Sequence, residues 1–477
     1  VTTAPPRTAF EGINELEAGT YLIVKNGRLK TERYWSMSFP ETFDRRRHIN
    51  SWAEELHELL VDSVRLRLRA DVPVGAYLSG GLDSSATTAL IKHFTDTRVE
   101  TFSIAFHDKA YDESAYQKQM ANFLGTSHHQ VRCSYKDIAE HFPDVIWHTE
   151  RPVLRTAPTP LYMLSQLVRQ NDFKVVLTGE GSDEIIGGYD IFKETLIRNF
   201  WARNPESQWR PLLLKKLYPT LPLSGARARF YLETFYKAGL AQKDKFYFSH
   251  IPRINTTTKL KDYFTSDIRK VLQDYNALEV FGRNLPEPFA RWHHLCRAQY
   301  LEAKSLLAGY ILSSQGDRMA SANSVEGRFP FLDHRLVEFA ATIPPGLKIF
   351  GLNEKYVLKK AMIKELPKEI TERVKQPYMA PDSNSFVQPD SPDYIAELLS
   401  EEALEKGGVF HPKYVQKLRE KCKRLSHAHL SFKDNMSFIG ILSTQLLIHR
   451  FIDNFPAPKA LDKNMFTVWV DYSKTTV

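Results

Sequence analysis

Cysteine is scarce. The 477 residues hold three, Cys133, Cys296 and Cys422, far apart and without a C-x-x-C pair. This excludes a disulfide framework and a thiolate metal cluster, and it fits a reducing compartment. No base stands beside any of the three, so they read as spectator thiols. No run of 18 apolar residues is present and no signal peptide is visible, so neither a membrane partner nor a transmembrane helix is expected, and a cytoplasmic location is. Dense Lys/Arg runs are missing too. The net charge is +8, but "RLRLRA" (65–70) and "REKCKRL" (419–425) read as helix faces. A nucleic-acid partner is therefore not expected; a cleft for a small polyanion such as ATP accounts for the charge equally well. There is no internal repeat and no low-complexity tract.

What is present falls into three stretches. Residues 9–36 read as short strands, with β-formers on both sides of Asn26–Gly27, a strong hairpin signal. One hairpin cannot fold alone, so it is expected to be the edge of something larger. A helix follows from about residue 50, with Trp52, Leu56, Leu59, Leu60 and Val64 at helical spacing and Ser51 as its cap candidate. Strand and helix signals then alternate. Strands are expected over 72–78, 99–106, 128–134 and 173–179, each followed by a helix. That order implies a parallel sheet flanked by helices, with ligands at the carboxyl ends of its strands. Beyond about residue 190 the chain reads as mainly helical, with helices over 228–240, 290–316, 333–342, 353–365, 411–424 and 433–454 separated by proline-rich breaks.

Two glycine-rich stretches lie at expected strand ends. In "LSGGLDSS" (78–85) the glycines let backbone N–H groups face an anion, and the helix that follows adds positive potential at its N-terminus. The lysine of a G-x-x-x-x-G-K-[ST] loop is missing. Phosphates would have to be held by backbone donors, by hydroxyls and by a metal. Asp83 is the metal candidate, since a carboxylate among phosphates repels them unless Mg2+ bridges the two. The second stretch is "LTGEGSDEIIGGY" (177–189). By itself Glu180 could be a helix N-terminal acid.

These residues carry a resemblance. "SGGLDSS" (79–85) is similar to the PP-loop of ATP pyrophosphatases. Together with "LTGEGSDEIIGGY", "SSQGDRMASANSVEGRFPFLD" (313–333) and "RVKQPYMAP" (373–381), in that order, it resembles the synthetase domain of glutamine-dependent asparagine synthetases over roughly residues 50–455. The fold implied is α/β, a parallel sheet flanked by helices of the adenine-nucleotide α-hydrolase-like type, with a largely helical C-terminal half. Residues 1–40 would be the hairpin end of a glutaminase domain plus a linker, 41–455 the ATP-pyrophosphatase domain and 456–477 a tail. The resemblance further implies that Leu78, Ile104 and Gly179 hold the adenosine side of ATP, that Thr178 also belongs to the ATP site, and that Ser79, Gly80, Gly81, Asp83, Ser84 and Ser85 hold pyrophosphate. Asp83 and Asp183 would bind Mg2+. Glu180 would serve the acyl-adenylate step and take a proton from ammonia, Lys375 would stabilise charge during adenylation, and Lys355 is a further phosphate candidate.

The chemistry agrees with that outline. A carboxylate does not react with ammonia until attack on the α-phosphorus of ATP turns it into a mixed anhydride from which AMP can leave. A cation and a metal assist the first step, and a base assists the second. The acceptor is less defined. Arg155, in "HTERPVLRTAPTPLYMLS" (148–165), could grip the second carboxylate of aspartate bidentately or be a structural arginine. Arg318 and Arg328 are either anion clamps or partners of nearby acids such as Asp317, Glu326 and Asp333. Aspartate is the leading acceptor; natural-product, peptide or sugar acids are the alternatives. No N-terminal cysteine nucleophile opens this chain, so the ammonia is expected to come from a glutaminase in a longer polypeptide or a second chain, or from solution. A homodimer is left open. A reading of another class, a tRNA-modifying PP-loop enzyme, calls for a basic or zinc-binding RNA module that the cysteines do not supply. A non-catalytic scaffold would show degraded phosphate-loop residues, and these are intact.

Overall fold

The computed structural model describes residues 6–95, 98–217, 226–425 and 430–457. The tail expected from residue 456 lies outside them except for its first two positions.

The hairpin forms as expected. Strands β1 (Thr20–Lys25) and β2 (Arg28–Arg33) pair antiparallel, Lys25 facing Arg28. Asn26 and Gly27 both have positive φ, 50° and 70°, the backbone of a type I′ turn. Tyr21, Leu22, Ile23, Val24 and Leu29 stay exposed, because no further layer covers the ribbon among the described residues.

The remaining strands, β3 (Val74–Tyr77), β4 (Glu100–Phe106), β5 (Ser127–Cys133), β6 (Val175–Leu177) and β7 (Glu326–Arg328), make one sheet in the order β5-β4-β3-β6-β7. All its pairings are parallel. This is the α/β architecture the alternating pattern implies. β7 was not legible beforehand: "EGR" has no β-former, and its place is set by pairing, Glu326 opposite Val175. Helices α1 (Ile49–Arg67), α2 (Leu82–Ile91), α3 (Ser114–Leu124), α4 (Tyr135–Thr149), α5 (Pro158–Gln170), α6 (Ser182–Ile186) and α7 (Asp190–Ala202) connect and flank the strands. The expected cap at Ser51 is corrected. α1 starts two residues before it, and the His48 side chain accepts from the Asn50 backbone N–H at 3.3 Å.

Burial follows the two periodicities. Along α1, Trp52, Leu56, Leu60 and Val64 are buried on one face, each contributing roughly 1.5–3 kcal/mol. Along β6, Val176 and Leu177 enter different apolar clusters on opposite faces of the sheet, as the strand repeat of two demands. In the C-terminal half, the helix expected over 290–316 is an α-helix, His294–Glu302, running directly into a π-helical stretch, Ala303–Asp317.

The chain runs outward from β3 to β4 and β5, then crosses back to β6 on the other side of β3. The crevice between the carboxyl ends of β3 and β6 is therefore the topological switch point of the sheet, the usual ligand position in such folds. Both glycine-rich stretches open there.

Candidate active site

The β3 loop is built around glycine. Gly80 has φ +75°, and a Cβ there would lie 2.6 Å from the Tyr116 backbone. Gly81 caps α2 without a side chain, leaving that helix N-terminus open. The serines brace the turn: Ser79 N–H donates to Ser84 Oγ at 3.1 Å, and the two hydroxyls are 2.9 Å apart. Ser85 Oγ is buried with no partner, a polar atom left for an incoming group.

The β6 loop sits directly on this turn. A Cβ on Gly179 would come within 2.8 Å of Asp83 Cβ and 2.9 Å of Ser84 N, so only glycine permits the contact. Thr178 N–H donates to the Arg328 carbonyl at 2.9 Å, and Thr178 Oγ1 accepts from Glu180 N–H at 3.3 Å. Gly181, with φ +89°, then turns the chain into α6, which carries Asp183 and Glu184 in its first turn.

Four charged side chains from distant segments converge on this contact. Lys355 Nζ lies 2.6 Å from both Asp83 oxygens and 2.6 Å from Asp183 Oδ1. Lys375 Nζ lies 2.7 Å from Asp183 Oδ2 and 3.7 Å from Asp83 Oδ2. Ser182 Oγ donates to Asp83 Oδ1 at 2.8 Å. The two carboxylates thus share two cationic partners, Lys355 and Lys375. Paired hard oxygen donors also suit a magnesium ion, so the residues fit that ion. Burial opposes charge on Asp183, but Lys355 and Lys375 outweigh it and hold the carboxyl below its usual range. Burial likewise opposes the Lys375 ammonium, and Asp183 and Asp83 outweigh it, raising its pKa.

Glu180 is different. Burial and the neighbouring Asp183 push its carboxyl up to about 7, against the pull of Lys375. A carboxyl poised there can exist in both forms near neutrality. Sequence reading missed Glu184, fully buried beside it. Burial, then Asp183 and Glu180, raise Glu184 to about 8, while Tyr189 donates to its Oε1 at 3.0 Å. The signal was faint: an acid adjoining two isoleucines.

Gly188 makes room for the whole cluster. A Cβ there would fall 1.9 Å from Asp183 Oδ1 and 2.1 Å from Lys355 Cε. Gly188→Ala is therefore expected to displace both partners and lower turnover by about 10²-fold, the scale on which misplaced reacting groups are felt. Melting and steady-state assays on the same preparation would check this; activity within threefold of the parent would show that the cluster yields without consequence.

The loop bearing Lys375 is tied to the phosphate-loop candidate. Arg373 donates to the Gly80 carbonyl at 3.3 Å, pairs with Glu113 and stacks over Tyr116 at 3.7 Å. Leu78 is buried and bonded to the Phe102 carbonyl at 3.0 Å. Ile104 is buried in β4, its carbonyl accepting from Gln117 at 2.7 Å. The three remaining arginines are occupied elsewhere. Arg155 pairs with Asp382 at 2.8 Å, Arg318 with Glu150 at 2.7 Å, and Arg328 with Glu326 at 2.7 Å while donating to the Arg67 and Arg69 carbonyls. Partnership with acids, one of the two readings of Arg318 and Arg328, is what the geometry displays. For Arg318 the acid is Glu150 rather than a neighbour within its own segment. Among the described residues no helix is long and apolar enough to cross a membrane.

Comparison with known proteins agrees with this architecture. The asparagine synthase family model matches residues 55–449. The chain is 31% identical over 404 residues to amidase chyE of Penicillium rubens, covering 79% of this chain and 59% of that protein. It is 29% identical over 383 residues to a putative glutamine-hydrolysing asparagine synthetase of Mycobacterium tuberculosis, covering 79% and 56%. It is 26% identical over 420 residues to glutamine-hydrolysing asparagine synthetase 1 of Bacillus subtilis, covering 87% and 62%. The chain thus spans about three fifths of the length of these relatives.

Proposed function

This chain belongs to the asparagine synthase family, and on that premise we propose that it is the synthetase unit of a carbon–nitrogen ligase that consumes ATP and releases AMP and pyrophosphate. The observation that carries the reading is the meeting of Asp83, Asp183, Lys355 and Lys375 at the switch point, with Glu180 beside them. The backbone donors of residues 79–85 and the orphan Ser85 hydroxyl would receive the two terminal phosphates. Asp83 and Asp183 would hold magnesium, which would neutralise phosphate charge and orient the chain of phosphates.

In the first step an acceptor carboxylate oxygen attacks the α-phosphorus and the bond to pyrophosphate breaks. Lys375, whose loop is pinned to Gly80, would offset the growing negative charge together with Lys355, which meets the same two carboxylates. In the second step ammonia nitrogen attacks the acyl carbon, AMP departs, and ionised Glu180 accepts the proton that the amide sheds. Free aspartate giving asparagine is the leading acceptor by family. The name of the amidase relative chyE of Penicillium rubens favours keeping other carboxylates in view. Ammonia would come from a glutaminase domain or subunit, and the exposed hairpin of β1 and β2 is the natural face for one to cover.

The reading is checked by product and label. With isotopic oxygen in the acceptor carboxylate, one labelled oxygen should appear in AMP, and pyrophosphate should form stoichiometrically with amide. ADP as the nucleotide product would refute it.

A further inference from the structure

Beside the switch point, the carboxyl ends of β4 and β5 frame a pocket of about 420 Å3 that none of the roles above occupies. Cys133, which ends β5 opposite Phe106 of β4, is among its lining residues. Its wall includes Asp108, Tyr135, Pro381, Gln388 and Asp390. Its size falls in the range of roughly 300–1,000 Å3 usual for sites that take whole small-molecule ligands.

Three observations connect it to the chemistry. Its Pro381 belongs to the loop that carries Lys375. On the same loop Tyr378 Oη donates to the Ala157 carbonyl at 3.4 Å, and Thr156 Oγ1 donates to the Pro381 carbonyl at 2.8 Å, so the pocket wall is tied to the segment 148–165 in which the acceptor is sought. At the junction, Arg155 is bound to Asp382 at 2.8 Å, and Asp382 also accepts from Thr156 N–H at 3.1 Å, so this guanidinium is already neutralised. The second carboxylate of a small diacid would find no free cation in that pair. Farther in, Asp108 accepts from Tyr135 Oη at 2.5 Å and Asp390 is exposed, giving the far end two acids; Lys136 at the rim pairs with Glu140 at 3.7 Å. Acids favour N–H donors or an ammonium group.

We propose that this pocket is an extension of the acceptor site, taking the distal part of a carboxylic acid longer than aspartate that ends in an amine or amide N–H. The inference rests on the adenylating reading above and names its substrate class. Reach along the loop from Lys375 to Pro381 then selects for length, and Asp108 and Asp390 select for the donor.

The full chain, supplied with ATP, magnesium and ammonia, should be assayed for AMP against aspartate, short peptides, and ω-amino acids from β-alanine to aminooctanoate with their N-acetyl forms. Longer acids are expected to exceed aspartate in kcat/KM by at least about 10-fold. Gln388→Trp, which fills the pocket, should raise KM for them about 10-fold and leave kcat and the aspartate rate unchanged. Asp390→Lys should penalise free amines more than N-acetyl forms. Aspartate matching or surpassing every longer acid, or Gln388→Trp acting equally on all acids, overturns the extension while AMP formation upholds the parent reading. No AMP with any acid overturns both.

Discussion

Asp83→Asn is expected to abolish ATP–pyrophosphate exchange, by about 10²–10³-fold or more, with little loss of folded protein. Removing one preorganised charge from a site where charge develops has effects of that size. Here the substitution does more than delete a charge. Asp83 meets Lys355 through both oxygens at 2.6 Å, and Asp183 alone would be left to balance two ammonium groups. The paired carboxylates that fit a divalent ion would be reduced to one. The neutral amide keeps the shape, so Ser182 still has an acceptor and the Gly179 contact survives. Exchange of labelled pyrophosphate into ATP, measured beside circular dichroism and thermal melting, separates the effect from unfolding. Exchange within threefold of the parent would remove Asp83 from the phosphate end of the site.

Glu180→Gln should split the two half-reactions. Amide formation is expected to fall by about 10²–10⁴-fold, the usual contribution of a positioned general base, while exchange persists within a few-fold. The pH profile gives the sign. A base works only when ionised, and the Glu180 carboxyl is pushed up to about 7, first by burial and then by Asp183. The single-turnover rate of amide formation should therefore rise as pH passes through about 7 and level off above it, and this limb should vanish in the variant. Free NH3 must be held constant at each pH, since its own protonation would otherwise produce a similar rise. Equal losses of exchange and of amide formation would place Glu180 in the adenylating step instead.

How much of this was legible beforehand depends on how local each cause is. The sheet showed through because apolar strands alternate with helical stretches over short links. The glycine turn at 79–81 showed through because glycines at a strand end followed by a hydroxyl-rich helix start leave few other readings. The meeting of Asp83, Asp183, Lys355 and Lys375 was expected only through the family resemblance, and their direct ion pairs were not, because they join segments that only tertiary packing brings together. Lys355 illustrates the difficulty. In sequence it is a phosphate candidate at the head of a lysine-rich helix, but nothing there forecasts its left-handed backbone, φ 52°, or its 2% exposure. The π-helical stretch over Ala303–Asp317 was hidden because apolar spacing over 15 residues does not separate its repeat from that of an α-helix. The arginines were ambiguous for a related reason: Arg155 finds Asp382 across 227 positions of chain.

The ribbon of β1 and β2 has a consequence for anyone who prepares this chain alone. Among the described residues no further strand pairs with its outer edges, and its side chains are sticky, with Val24 65% and Leu29 72% accessible to water. Such a two-stranded tape is a template on which other copies can add strands. A partner that covered it would do double duty, because without such cover the same surface can recruit its own kind, and the first symptom would be concentration-dependent aggregation rather than loss of catalysis.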